Sequence, residues 1–298
     1  MSMLNEEQVQ QYNVFGFVKL QNFFTADEQR TIRAEFDHRA AVASSDEPFD
    51  GTQKQSFDML GDETPFMTAL FYSDRFVNTA EQLVGPVIGF TVDASRRVTD
   101  TVWHYDGGGN EAGGVLFANY LQPLCADTGA LRFIAGSHLQ PWHGRLDTLE
   151  AIGSQWSREA ATPQEVKRAF DAIDDVPAYA CETEPGDVIA FDYRTFHASL
   201  GGSQDRHMCT FNYYTEPNTP AEIELTILQA KGYMKALGNV DDPSPCATGD
   251  CGDNFRDHPR CQQWLDRIKY FAGLPEQQRG VKATAVNGKL EVVPIEDA

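Results

Sequence analysis

The stretch Thr101-Val-Trp-His-Tyr-Asp106 sets the strongest constraint on what this chain can become. In a β-strand alternate side chains point the same way, so His104 and Asp106 share one face and offer a metal two ligands. Taken alone, such a pair is also compatible with an ordinary hydrogen-bonded or surface His-x-Asp. A second stretch, from Pro185 to Arg206, supplies His197 as a third ligand and Arg206 nine residues later. Two imidazoles and one carboxylate on one side of a metal leave the opposite positions open, the arrangement that suits a non-haem Fe(II) oxygenase. Arg206 then presents a bidentate fork to a co-substrate carboxylate.

Around these stretches the pattern is of short strands. Strands begin at Val87, and short runs at 115–121, 131–134 and 188–193 are separated by glycine turns, with helices at both ends and no βαβ alternation. The expected class is mainly β with flanking helices, a jelly-roll core of double-stranded β-helix type. Residues 1–298 are read as a single domain. Residues 1–86 give N-terminal helices and a loop, 87–216 the core with a helical insertion near 140–184, and 217–298 a helical extension.

In order along the chain, five motifs resemble the phytanoyl-CoA dioxygenase family of Fe(II)/2-oxoglutarate oxygenases. They are His104-x-Asp106, Gly129-Ala-Leu-Arg-Phe-Ile-Ala-Gly-Ser-His138, Pro185-Gly-Asp187 leading into a strand, His197-Ala-Ser199, and Arg206. The resemblance runs from about residue 5 to residue 214, with Ala135 where the family more often has proline. It implies Fe(II) held by His104, Asp106 and His197, 2-oxoglutarate paired to Arg206, and O2 as oxidant. It also implies succinate and CO2 as co-products and a hydroxylated C–H bond. The related halogenases lack the carboxylate that Asp106 provides, so hydroxylation is the expected outcome. The family spans acyl-CoA, amino-acid derivatives, organophosphonates and secondary metabolites, and a catalytic motif does not choose among them. A small polar metabolite, such as an organophosphonate or an amino-acid derivative, is the reading carried forward. The rivals are an acyl-CoA or secondary-metabolite hydroxylase, a cupin-like zinc or manganese enzyme, and a binding protein on the same fold.

Charge narrows the partners. With 24 basic against 44 acidic residues the formal net charge is −20, which repels polyanions and argues against nucleic acid. No apolar run approaches the roughly 18 residues a bilayer span needs, and the N-terminus has no signal-peptide character, so a cytoplasmic protein with no membrane partner is expected. The six cysteines follow no regular disulfide spacing. Cys246, Cys251 and Cys261 with His258 form a poor zinc pattern and read better as free thiols.

Several residues are secondary candidates. If residues 96–106 form one unbroken strand, Arg96 shares the face of His104 and becomes a candidate anion-binding residue, while Trp103 and Tyr105 pack on the far side. Asn119, in the strand after the Gly107–Gly114 run, is a candidate contact to co-substrate or substrate. Arg206 shares parity with Met208, Thr210, Asn212 and Tyr214, and its two polar companions Asn212 and Tyr214 are candidates to line the pocket. Arg132 and Arg194 could favour an anionic or zwitterionic substrate, and His138 reads as structural. In the insertion, Val166, Phe170, Ala172 and Ile173 fall at rough helical spacing, as a lid or a structural excursion. Beyond Pro217, helices are expected at 221–237 and 261–272 with a Pro/Gly/Cys loop at 241–253 between them. That tail packs on the barrel or on a second subunit, as in a homodimer.

Overall fold

The computed structural model describes residues 3–46, 48–51, 54–106, 113–146, 164, 175–202, 205–224, 257–274, 280–286 and 289–294. The insertion helix, the loop at 241–253, most of the glycine run and residues 225–237 lie outside them.

The N-terminal part is built from local signals. Helix α1 (Glu6–Phe15) opens on a capping box in which Asn5 accepts from the Gln8 backbone N–H and the Gln8 side chain accepts from the Asn5 N–H. Gly16 closes it in the left-handed region at φ 84°. Strand β1 (Phe17–Leu20) follows, then α2 (Ala26–Asp46), whose Thr25 and Glu28 cap each other. The stretch from 43 to 65, polar and irregular in sequence, holds the end of α2 and β2 (Lys54–Asp58), and α3 (Pro65–Phe71) follows it. Only Phe57 of β2 is fully buried, so this strand has too little apolar alternation to be seen in the sequence. Ser73 caps α4 (Asp74–Val84) and Gly85 ends it.

The core is two antiparallel sheets. The larger has the order β1-β8-β5-β10-β3-β2, with β3 (Val87–Arg97), β5 (Gly114–Tyr120), β8 (Val188–Asp192) and β10 (Arg206–Thr215) at its centre. The smaller has the order β4-β9-β6-β7, from β4 (Thr101–His104), β6 (Leu131–Phe133), β7 (Tyr179–Cys181) and β9 (His197–Ser199). A short helix, α5 (Trp142–Arg145), follows β6. The expected mainly-β jelly roll with flanking helices is the fold observed.

Helices cover one face of the larger sheet. Phe76 of α4, fully buried, stacks on Phe211 at 4.2 Å and meets the edge of Phe117 at 5.3 Å. Ile32 and Phe36 of α2 join the same cluster. Each such side chain contributes about 1.5–3 kcal/mol through burial, and together they leave the opposite face of the sheet to form a cavity. Helix α6 (Pro259–Gly273) brings Trp264 against β3 at Gly89, where any Cβ would lie 2.4 Å from the indole. The tail is not wholly helical: β11 (Val281–Val286) and β12 (Lys289–Pro294) pair as a hairpin. Among the described residues no helix is long and apolar enough to cross a membrane.

Candidate metal centre and cavity

The strand expected to run unbroken through residues 96–106 is interrupted after Arg97, and its two halves belong to different sheets. That break passes the chain from the larger sheet to the smaller one and brings β4 beside β9. There His104 and His197 are direct cross-strand partners. Partners in register project to the same side, and their rings lie 4.2 Å apart between centroids. Asp106, just past the end of β4, completes the group: its carboxylate oxygens lie 3.8 Å from His104 Nε2 and 3.5 Å from His197 Nε2. One ligand atom from each of the three lies within 4.8 Å of the others, a grouping not repeated among the described residues.

The imidazoles are set for coordination by their backbone contacts. His104 Nδ1 lies 2.9 Å from the Val102 carbonyl and His197 Nδ1 lies 3.0 Å from the Thr195 carbonyl. A carbonyl can only accept, so Nδ1 carries the proton and Nε2 of the neutral ring keeps its lone pair facing Asp106. This outer contact is the one that fixes metal-binding histidines. Burial, then the neighbouring His197, pushes the His104 pKa down, so that ring is held neutral. Two imidazole nitrogens and a carboxylate fit a divalent transition metal.

Arg206 occupies the start of β10 and is buried, 3% exposed. Its Nη1 donates to Gly129 O at 2.7 Å and to Ser199 Oγ at 2.9 Å, and Nη2 donates to Thr99 O. Its Nε is buried without an acceptor, and no described acid pairs with the guanidinium. A buried cation with an orphaned donor fits an incoming carboxylate. Gly129, at φ 99°, leaves the room: a Cβ there would stand 2.5 Å from Arg206 Cδ.

His104, Asp106, His197 and Arg206 line one cavity of about 490 Å³, together with Met208, Thr210, Asn212 and Tyr214. The parity expected along β10 is thus the parity observed. Two other placements are corrected. Arg96 lies outside the cavity, because the break after Arg97 invalidates parity counted across it. It pairs with Asp205 and stacks over Phe49 at 4.0 Å, and Arg97 lines the cavity instead. Asn119 also faces away, completely buried on the helix side of β5. It donates to Asp187 O at 2.9 Å and accepts from Gln29 Nε2 at 3.2 Å, while Leu116, Ala118 and Tyr120 face the cavity.

The other arginines are engaged elsewhere. Arg194 forks onto Asp192 at 2.8 and 2.6 Å, and Arg132 donates to Ala126 O. His138 contacts Asn13 O at 3.2 Å and is no part of the triad. Of the zinc pattern weighed in the sequence, Cys261 is buried in α6, and Cys246 and Cys251 lie outside the described residues. Sequence reasoning missed Arg97, Asp93, Tyr193 and Ser199 as cavity residues. Ser199 was within reach, two positions from His197 on the same strand face.

A double-stranded β-helix with two histidines and a carboxylate gathered in its cavity defines the non-haem iron oxygenase class. Within that class the chain belongs to the phytanoyl-CoA dioxygenase (PhyH) family, whose model matches residues 12–208. Solved structures with the same fold include EctD from S. alaskensis with bound Fe, at 18% identity and a TM-score of 0.54 over 73% of this chain and 79% of that one. HygX from Streptomyces hygroscopicus, solved with nickel and 2-oxoglutarate, matches at 18% identity and a TM-score of 0.52 over 71% of this chain and 87% of HygX. The carbocyclase SnoK from nogalamycin biosynthesis matches at 18% identity and a TM-score of 0.51, covering 74% of this chain and 88% of SnoK. A comparison with curated proteins finds no match.

Proposed function

We propose that the protein is an Fe(II)- and 2-oxoglutarate-dependent dioxygenase that hydroxylates an unactivated C–H bond of a small polar metabolite. The observation that carries this reading is the convergence of His104 Nε2, His197 Nε2 and the Asp106 carboxylate in a cavity that also holds the unpaired cation of Arg206. In this reading His104, Asp106 and His197 hold the metal, and Arg206 with Ser199 receives the far carboxylate of 2-oxoglutarate. When bound, the pair supplies the oxidising chemistry: O2 and 2-oxoglutarate are consumed, and succinate, CO2 and an alcohol are formed.

The chain's own part is orientation and exclusion of water. Val102 O and Thr195 O lock the two rings so that the lone pairs stay aimed inward. Asp106 supplies the only negative charge of the triad, which lowers the net charge of a divalent centre by one. Leu116, Leu131 and Phe191 give the cavity an apolar lining around these polar groups. The expected setting is cytoplasmic. The test is succinate release across a panel of small polar metabolites, with Asp106→Gly as control. Substrate-dependent succinate release is expected for the wild type and none for Asp106→Gly. Wild-type turnover in that variant removes Asp106 from the site, and turnover confined to long acyl-CoA thioesters defeats the small-metabolite assignment.

A further inference from the structure

The triad and Arg206 do not account for all the ionisable groups in the cavity. Asp93, on β3, also lines it and pairs in register with Thr210 of β10, four residues along that strand from Arg206. At about 3.4 Å per residue, this sets Asp93 roughly 13 Å along the sheet from the arginine, a distance that leaves space for the triad's ligand sphere and a small molecule.

One oxygen of this carboxylate is occupied. Thr91 Oγ1 donates to Asp93 Oδ2 at 2.6 Å, and Asn212 Nδ2 donates to the same oxygen at 3.2 Å. Asn212 is itself oriented by Tyr193, whose hydroxyl donates to Asn212 Oδ1 at 3.3 Å. Asp93 Oδ1 receives no hydrogen bond from any described residue, and none of the described basic side chains forms a salt bridge with Asp93. Burial pushes the Asp93 pKa up, opposed by the Thr91 hydrogen bond and by Lys54 acting through space.

The walls beside it are aromatic. Tyr193 and Tyr214 stack at 4.9 Å, and Phe90 meets Tyr214 edge-on at 4.8 Å. Both tyrosine hydroxyls are pushed up by burial and then by nearby negative charge, which for both includes Asp106 and Asp93. The tyrosine pair therefore stands within electrostatic reach of both the metal-binding carboxylate and the second one.

We infer that Asp93 is a specificity-determining residue, and that the primary substrate carries a cationic nitrogen with at least one N–H, donated to Asp93 Oδ1 between Tyr193, Tyr214 and Phe90. A partly buried carboxylate with one open oxygen selects a charged N–H donor over a neutral hydroxyl, and aromatic faces add attraction for the cation. A net charge of −20 draws cations toward the protein and disfavours substrates that are wholly anionic. This narrows the proposed small polar metabolite to amines, amidines and zwitterions, and it rests on the oxygenase reading only for what happens to the ligand afterwards.

The experiment uses three probes of one chain length: n-butylammonium, n-butyltrimethylammonium and 1-butanol. Binding is followed by saturation-transfer NMR on the full-length protein, with and without Mn(II) and 2-oxoglutarate. The expected result is binding of n-butylammonium about tenfold or more tighter than 1-butanol, and a similar loss for n-butylammonium in Asp93→Asn. Equal binding of the alcohol, or unchanged ammonium affinity in Asp93→Asn, overturns the proposal. Equal binding of the quaternary ion overturns its N–H requirement. Should Asp93→Asn fail to fold, the preference of the wild type among the probes decides alone. Ammonium preference without 2-oxoglutarate binding sinks the oxygenase reading and leaves the Asp93 site standing, whereas the reverse pattern sinks the Asp93 site only.

Discussion

Replacing Arg206 with methionine separates what this residue does for the fold from what it does for a ligand. In the structure its guanidinium makes three hydrogen bonds, to Gly129 O, Ser199 Oγ and Thr99 O, yet no described carboxylate neutralises it. Losing hydrogen bonds from a charged donor costs about 1.5–3 kcal/mol each, while removing an uncompensated buried charge returns several kcal/mol. These terms oppose each other, so Arg206→Met should change the stability of the ligand-free protein by no more than about 2 kcal/mol. The co-substrate enjoys no such cancellation. Two charge-assisted bonds to its carboxylate, at about 1.5–3 kcal/mol each, amount to roughly 3–6 kcal/mol, or a loss of about 10²–10⁴ in affinity. Calorimetric titration of the Mn(II)-loaded protein with 2-oxoglutarate reads the affinity, and thermal unfolding by circular dichroism reads the stability. Arg206→Lys keeps the charge without the fork and should fall between the two. Binding of 2-oxoglutarate by Arg206→Met within about threefold of wild type would refute the assignment, since that margin is under 1 kcal/mol.

Other consequences can be measured alongside. Gly129→Ala places a Cβ against the Arg206 side chain at a residue with φ 99°, so stability should fall by about 1–3 kcal/mol and 2-oxoglutarate binding should weaken with it. Unchanged 2-oxoglutarate affinity would show that the guanidinium does not need its present seat. Asn119→Ala removes a buried side chain that ties β5 to Asp187 and Gln29, at a cost of about 1–3 kcal/mol in denaturant unfolding. It should leave 2-oxoglutarate affinity unchanged, and a selective loss of that affinity would return Asn119 to the cavity. Asp58 has its pKa raised from 3.8 to about 7 by burial, against the hydrogen bond from Leu60 N. Below the unfolded value both states hold the proton, so the residue adds no pH dependence; above about 7 only the folded state holds a buried charge. Stability should therefore decline between these limits as pH rises. Asp58→Asn should flatten that decline and raise the melting temperature at pH 8 relative to wild type; equal melting curves at pH 8 would contradict it.

The site was readable where the signal was local. His104 and Asp106 are two apart in sequence, and the alternation from Arg206 to Tyr214 survives because β10 keeps its register with β5 through Tyr214, the one irregularity in its pairing with β3 lying in β3. Helices α1 and α4 carry their boundary signals locally, in Asn5, Gly16, Ser73 and Gly85, whose side-chain or backbone chemistry caps a helix wherever it lies. What failed depended on the third dimension. Parity cannot be counted across the break between β3 and β4, so Arg96 was read onto the face of His104, whereas Arg97 is the one that lines the cavity. Asn119 illustrates a second limit. Strand β5 is buried at all seven positions, so its sequence does not say which face carries helices and which lines the cavity. Asp93 is polar, sits inside a strand, and joins Asn212 only through pairing with β10, a long-range register that no local pattern encodes.

The most direct test of the central claim is anaerobic addition of 2-oxoglutarate to the Fe(II)-reconstituted protein, watched for a weak visible metal-to-ligand charge-transfer band. The account predicts that the band appears in the wild type and is absent in His197→Ala, whose fold is verified by circular dichroism. A wild-type protein that takes up Fe(II) and shows no band on saturation with 2-oxoglutarate, or a band that persists in His197→Ala, would contradict it.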